Sequence, residues 1–387
     1  VSVSRRFLLV CTFLLVSIPV AAQTPELINN DSFRKDAQAA VDSIYNFNFD
    51  GADRVLASWK DQYPKHPLWT LLDGMEFWWH VLSDLQDTSQ DEQFYNKMKK
   101  ADYEARKLLQ KQPSHADGLI IRAISNGYMA RQFANREEWV TSLSYARKAL
   151  KAYEYLLELE PDLDDLKLAE GLKLYYSAYL PEAYLIVKTV SWFLPQGDKQ
   201  KGLDLIRQAS EEAIFARAEA TYFLGNINYH YEDDYQVALR NFEQLHSRYP
   251  NNNYYVRVLA KIYYEQKRYD KALSLIDKAL ERWEQQELPF EAVLKEELLS
   301  WKGSILRRQG RPKEALKSFE NSFESSVSLP NSKQRSFYTR SGYWSGKILF
   351  DEGRKDEAKG YLKKVKKADS GASYRRKTEN LLSKISD

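Results

Sequence analysis

Four stretches decide the fold of this chain: VALRNFEQL at residues 237–245, KALSLIDKAL at 271–280, EALKSFENSF at 314–323 and EAKGYLKKV at 357–365. Each carries an alanine (Ala238, Ala272, Ala315 or Ala358) and a large apolar residue four positions later: Phe242, Ile276, Phe319 or Leu362. A separation of four places both residues on one face of an α-helix. The small residue lets a second helix come close, and the large one fills the space beside it. Twelve positions before each alanine, or thirteen in the first case, stands another small residue: Gly225, Ala260, Gly303 and Gly346. Apolar Tyr263, Leu306 and Leu349 follow the last three. Turn formers lie between, as in Gln309-Gly310-Arg311-Pro312 and Glu352-Gly353-Arg354. The unit is helix, tight turn, helix, and successive alanines are 34, 43 and 43 residues apart.

This unit resembles the tetratricopeptide repeat, which has a small residue amid its first helix, alanine early in its second, an aromatic four later and a closing proline. Residues 218–250 match at Gly225, Ala238, Phe242 and Pro250, and the next unit matches at Leu259, Ala260, Tyr263, Ala272 and Ala279. The N-terminal half carries sparser punctuation of the same kind: Ala52, Leu56 and Pro64; Ala101, Ala105 and Pro113; Ala149, Tyr153 and Pro161. Gly202, Ile206 and Ala209 add a weaker match. The resemblance implies an all-α, right-handed solenoid of about eight helix pairs. A polar helix over residues 374–385 would cap its end. Residues 23–195 read as divergent repeats and 196–387 as regular ones. The apolar run 175–195 is broken by Pro181, Glu182 and Lys188, so it reads as a buried helix between the halves rather than a membrane span. Residues 175–206 also resemble the eukaryotic inclusion-body-clearance type of tetratricopeptide protein, through Gly197, Asp198, Gly202 and Leu203.

The first 22 residues have the layout of a secretory signal peptide. Arg5 and Arg6 precede an apolar run, and Val20 and Ala22 are small residues placed for cleavage before Gln23. The expectation is an exported chain, periplasmic or secreted. The single cysteine, Cys11, lies within that segment, so the mature chain has no disulfide and must be held by its core. With 43% hydrophobic residues the chain can form one. Removal of two arginines leaves 55 Lys+Arg against 54 Asp+Glu, a balance that argues against nucleic acid as the main partner.

Catalytic and metal patterns are missing from the sequence. His66, His80, His115, His230 and His246 include no pair spaced as H-E-x-x-H. Gly197 and Gly202 have phosphate-loop spacing, but Leu203 and Asp204 stand where a lysine and a hydroxyl are needed. No G-x-S-x-G elbow occurs. Asp162, Asp164, Asp165, Asp233 and Asp234 precede helices and read as caps. The basic runs at 97–100 and 363–367 read as solvated outer faces. The expectation is a chain without enzyme activity, metal or cofactor.

The resemblance implies that the first helix of each pair lines a concave groove. Carried over by position, the groove residues are Trp78, Trp79, Tyr128, Tyr175, Tyr176, Tyr222, Asn226, Tyr229, Arg257, Lys261, Tyr264, Arg307, Arg308, Tyr343 and Lys347. Its N-terminal half would be aromatic and its C-terminal half basic and aromatic, suited to a protein or peptide partner with an acidic segment or terminal carboxylate. Two alternatives stay open at this point. One is an accessory factor docking on a membrane, and the other a protein binding a glycan or small ligand on its aromatic half.

Overall fold

A computed structural model describes residues 24–159, 163–183, 196–288 and 291–386. Residues 1–23 (which include the expected signal segment), Pro161 and the stretch 184–195 of the central apolar run lie outside the described residues. The described residues contain seventeen α-helices and no strands. Eight antiparallel pairs follow one another: α1 (Asp31–Tyr45) with α2 (Phe49–Gln62), α3 (Leu68–Ser83) with α4 (Asp91–Lys111), α5 (Ala116–Asn135) with α6 (Trp139–Leu157), α7 (Leu166–Ala183) with α8 (Lys199–Glu212), α9 (Arg217–His230) with α10 (Tyr235–Arg248), α11 (Asn253–Glu265) with α12 (Tyr269–Glu284), α13 (Ala292–Arg308) with α14 (Pro312–Ser328), and α15 (Ser336–Asp351) with α16 (Lys355–Lys366). The final helix, α17 (Ala372–Ser386), packs on the last pair as a cap.

The small-to-large pairing read from the sequence sets the helix contacts. Ala238, Ala272, Ala315 and Ala358 are buried, as are Phe242, Ile276, Phe319 and Leu362. A Cβ built on Gly225 would lie 3.0 Å from Phe242, one on Gly303 2.9 Å from Phe319, and one on Gly346 2.7 Å from Leu362. In the fourth pair the approach reaches backbone. A Cβ on Gly202 would stand 2.7 Å from the Tyr175 nitrogen and 2.8 Å from the Gly171 oxygen. In α6 the spacing holds in part: Tyr153 is buried with Ala152 and Leu156, while Ala149 is only half-buried.

Turn chemistry is shared too. Backbone N–H groups of Asn48, Glu138, Arg268, Arg311 and Arg354 donate to carbonyls five residues earlier, at 2.9 to 3.0 Å. This is the Schellman closure of a helix end, which needs a left-handed residue. Gly310 and Gly353 supply it in the two turns legible from sequence, while Phe47, Glu137 and Lys267 adopt positive φ in others. The caps are local as well. Asp234 accepts from the N–H groups of Gln236 and Val237, and Asn252 from that of Tyr254.

The superhelix closes on itself. Tyr249 donates to Asp42 at 2.6 Å, Asn252 donates to the Tyr45 carbonyl at 2.7 Å, and Arg257 donates to the Ser83 carbonyl at 2.9 Å. These partners are more than 170 residues apart in the chain. The apolar core is continuous across them, with Trp79 against Tyr45 and Tyr255 at centroid distances of 5.4 and 5.9 Å. Both halves of the chain therefore contribute to one core. At the seam, the buried guanidinium of Arg335 bridges Asp84, in the α3–α4 loop, and buried Glu296. Glu296 also accepts from Ser326 at 2.8 Å.

Two measurements check this packing. Helix propensity alone makes Gly→Ala stabilising by about 1 kcal/mol inside a helix. Gly360→Ala in α16, whose Cβ would meet nothing within 4 Å, should raise the melting temperature. Gly202→Ala should lower it, and equal rises would contradict the backbone contact of α7 with α8. Burial pushes the Glu296 carboxyl up to about 7, against the opposing pull of Ser326 and Arg335. A carboxyl raised on folding contributes stability below its unfolded value, lost as pH rises through the folded one. Glu296→Gln has no such loss. Its melting temperature relative to wild type should climb between about pH 5 and about pH 8. A flat difference would place Glu296 in a solvated setting.

Candidate functional site

Closure divides the groove expected from the sequence into an occupied part and an open part. In the occupied part, Trp78 is fully buried between Phe94 and Tyr128, at centroid distances of 5.3 and 5.5 Å. Trp79 is buried against α1 and α11. The Arg131 guanidinium lies 5.1 Å from the Trp78 ring and 4.8 Å from the Tyr222 ring. Arg131 donates to Glu219 at 2.6 Å, which also accepts from Tyr45 at 2.7 Å. Tyr222 is buried and shares a 3.1 Å hydrogen bond with Tyr254. Arg257 is held by Glu291 at 2.6 Å and Glu297 at 3.0 Å, so its charge is already matched.

Further positions are also engaged within the chain. Tyr175 is fully buried and its hydroxyl donates to Glu232, while half-buried Tyr176 packs edge-on against it at 5.3 Å. Tyr229 is buried and donates to Glu265. Asn226 is half-buried on the same helix. Trp78 and Tyr175 are covered within their own and the neighbouring repeats, whereas Trp79 is covered by the closure. Large rings on inner helices of distant repeats lower their free energy by covering each other once the superhelix turns back.

The open part lies on the inner helices α11, α13 and α15. Arg308 is exposed, and its Nε donates to the Tyr264 hydroxyl at 2.9 Å. Tyr264 packs on Trp301 at 4.9 Å, and Arg340 stacks over the same indole at 4.0 Å. Arg307 stacks over Trp344 at 3.9 Å. Tyr343 is buried between Trp344 and Tyr374. Lys261 sits 4.9 Å from the Tyr229 ring, and Lys347 pairs with Asp351 at 2.5 Å. No ion pair forms between Arg307, Arg308 or Arg340 and a carboxylate among the described residues. The Nε atoms of Arg307 and Arg340 are buried without an acceptor. Burial lowers the Arg340 pKa from its ordinary value, outweighing the opposing pull of Glu297, with which it forms no ion pair. Three guanidiniums backed by indole and phenol rings thus face a common side.

Arg340, Glu219, Tyr254 and Glu297 were not singled out from sequence. All four stand six residues before the central small residue of their repeat, at Gly346, Gly225, Ala260 and Gly303. Asp165 and Asp117 hold the same place before Gly171 and Ala123. Asp165 accepts from the N–H groups of Ile214, Phe215 and Ala216, and Asp117 from those of Leu27 and Ile28. Applying that offset to every repeat would have found them. Among the described residues, no group of His, Cys, Asp and Glu side chains is arranged to hold a metal ion. None of the described helices is long and apolar enough to cross a membrane.

A family model described as a tetratricopeptide repeat matches residues 229–287. No curated protein sequence matches the chain. Among solved structures, yeast Tom70 is similar over 82% of this chain at 11% identity with a TM-score of 0.43. The chain spans 63% of the length of that structure. A tetratricopeptide repeat protein from Parabacteroides merdae ATCC 43184 is similar over 80% of this chain and 98% of its own, at 17% identity and a TM-score of 0.32. A human IFIT1 dimer with PPP-AAAA is similar over 86% of this chain and 82% of its own, at 16% identity and a TM-score of 0.33. Helix pairs, small-residue contacts and Schellman turns recur along the described residues as a solenoid, and within it the segment covering α10 to α12 matches the tetratricopeptide repeat.

Proposed function

We propose that this chain is an exported scaffold that binds a protein or peptide partner through an acidic segment. The observation that carries the reading is the cluster of Arg307, Arg308 and Arg340 on the inner face of α13 and α15. Guanidiniums are the side chains best suited to fork onto carboxylates, and the rings behind them restrict their motion before a ligand arrives. Arg and aromatic anchors carry a large share of the binding energy at protein interfaces. The N-terminal part of the inner face is occupied by the chain's own contacts, which leaves this end for a partner. Export is supported by the signal-like layout of residues 1–22. The sequence supplies no nucleophile, metal or cofactor pattern that would favour an enzyme.

A fluorescent polyglutamate peptide with a free C-terminus is a suitable probe. Wild-type protein should bind it more tightly than a matched polyglutamine peptide, and added salt should weaken the binding. Arg308→Glu should reduce affinity by about tenfold or more, because it replaces an exposed cation with an anion at the same place. Equal binding of both peptides, or no effect of Arg308→Glu, would overturn the acidic-segment reading. Export has its own check. N-terminal sequencing of the protein from its native envelope or medium should begin at Gln23, and a chain retaining residues 1–22 in the cytoplasm would remove that part.

A further inference from the structure

A second basic site lies in a cleft of about 430 Å³ lined by α4, α5 and α6, away from α11, α13 and α15. Four of its lining residues are cations (Lys99, Arg106, Arg122 and Lys148), and its lining carboxylate is Asp102. We propose that this cleft binds a phosphate-bearing ligand. The proposal does not rest on the inner-face reading.

Asp102 arranges the two arginines rather than neutralising the cleft. Its Oδ1 accepts from Arg122 Nε at 3.0 Å and from Asn126 at 2.8 Å, and its Oδ2 lies 3.1 Å from Arg106 Nε. One carboxylate thus fixes two guanidiniums through their Nε groups. The Nη groups of both form no hydrogen bond to other described residues, so each keeps the fork edge that grips an oxyanion. The two lysines stand at opposite rims. Tyr95, Phe133 and Tyr145 form a three-ring stack from α4 through α5 to α6, with centroid distances of 4.3 and 5.3 Å and interplanar angles of 8° and 10°. Lys99 lies over the Tyr95 ring at 5.9 Å and Lys148 over the Tyr145 ring at 4.2 Å. Neither lysine pairs with a carboxylate among the described residues.

Charge and shape select the ligand class. A carboxylate has two oxygens and one charge. A terminal phosphate offers three oxygens and close to two charges, enough to accept from both forks and attract both ammonium groups. The cleft volume falls within the range of small-ligand sites.

Inorganic tripolyphosphate is the probe, titrated calorimetrically into the mature protein, with sulfate at matched ionic strength as the control. Saturable binding is expected, tighter than that of sulfate, with one equivalent remaining in the Arg308→Glu background. Arg122→Gln should weaken it by about tenfold or more, since a fork contact is lost. Lys148→Gln, at an exposed position where folding is little affected, should weaken it by about threefold or more. The cleft component of this binding should persist in Arg308→Glu, in which the inner-face cluster is disabled. The proposal is overturned if wild-type protein gives no saturable binding, if sulfate binds equally well, or if Lys148→Gln and Arg122→Gln both bind as wild type does. Loss of polyglutamate binding with tripolyphosphate binding intact would remove the inner-face reading alone.

Discussion

The whole architecture depends on how closely the two helices of each pair can approach. Where an inner helix presents glycine or alanine, the outer helix lays a large side chain directly over it. Gly303 under Phe319 and Gly346 under Leu362 show the contact in its regular form. Gly171 against Gly202 brings it down to backbone. A side chain larger than alanine at these points would push the pair apart. The cost would then be felt by the neighbouring repeats, because each pair is the surface on which the next one stacks.

A regular stack of this kind leaves its inner face open, and here much of that face is rich in large rings. Exposed rings are unfavourable in water, and the superhelix brings the first two repeats back onto the fifth and sixth. The closure is partly polar. Tyr249 with Asp42, Arg257 with Ser83, and Arg335 with Asp84 and Glu296 satisfy groups that would otherwise be buried alone. Such contacts add modest stability and strong selectivity, since breaking any one leaves an unpaired partner in a low-dielectric seam.

The contrast between matched and unmatched charge separates structural from functional surfaces. Arg131, Arg257 and Arg335 each meet carboxylates and belong to the closure. Arg307, Arg308 and Arg340 instead lie against rings and meet none among the described residues. The cleft lined by α4, α5 and α6 has one carboxylate that orients two guanidiniums and leaves their outward edges available. Side chains of one type thus serve fold or ligand according to whether the chain itself supplies the counter-charge.

The local pattern of the sequence determined the helix pairs, their number, the capping helix and the small-to-large contacts within each pair. These depend on residues a few turns apart, so spacing alone encodes them. The positions on inner helices were also legible, because a side chain's face follows from its distance to the central small residue. Tertiary structure alone decided which of those positions stay open. Trp78 and Arg257 are placed in the groove by position, as are Arg307 and Arg308. Yet Trp78 packs with Tyr128 and Arg131 of the next repeat, and Arg257 reaches Ser83 and Glu291. The meeting of Arg257 with Ser83 joins segments 174 residues apart, and it follows from the accumulated rotation of all intervening pairs, which no single repeat records.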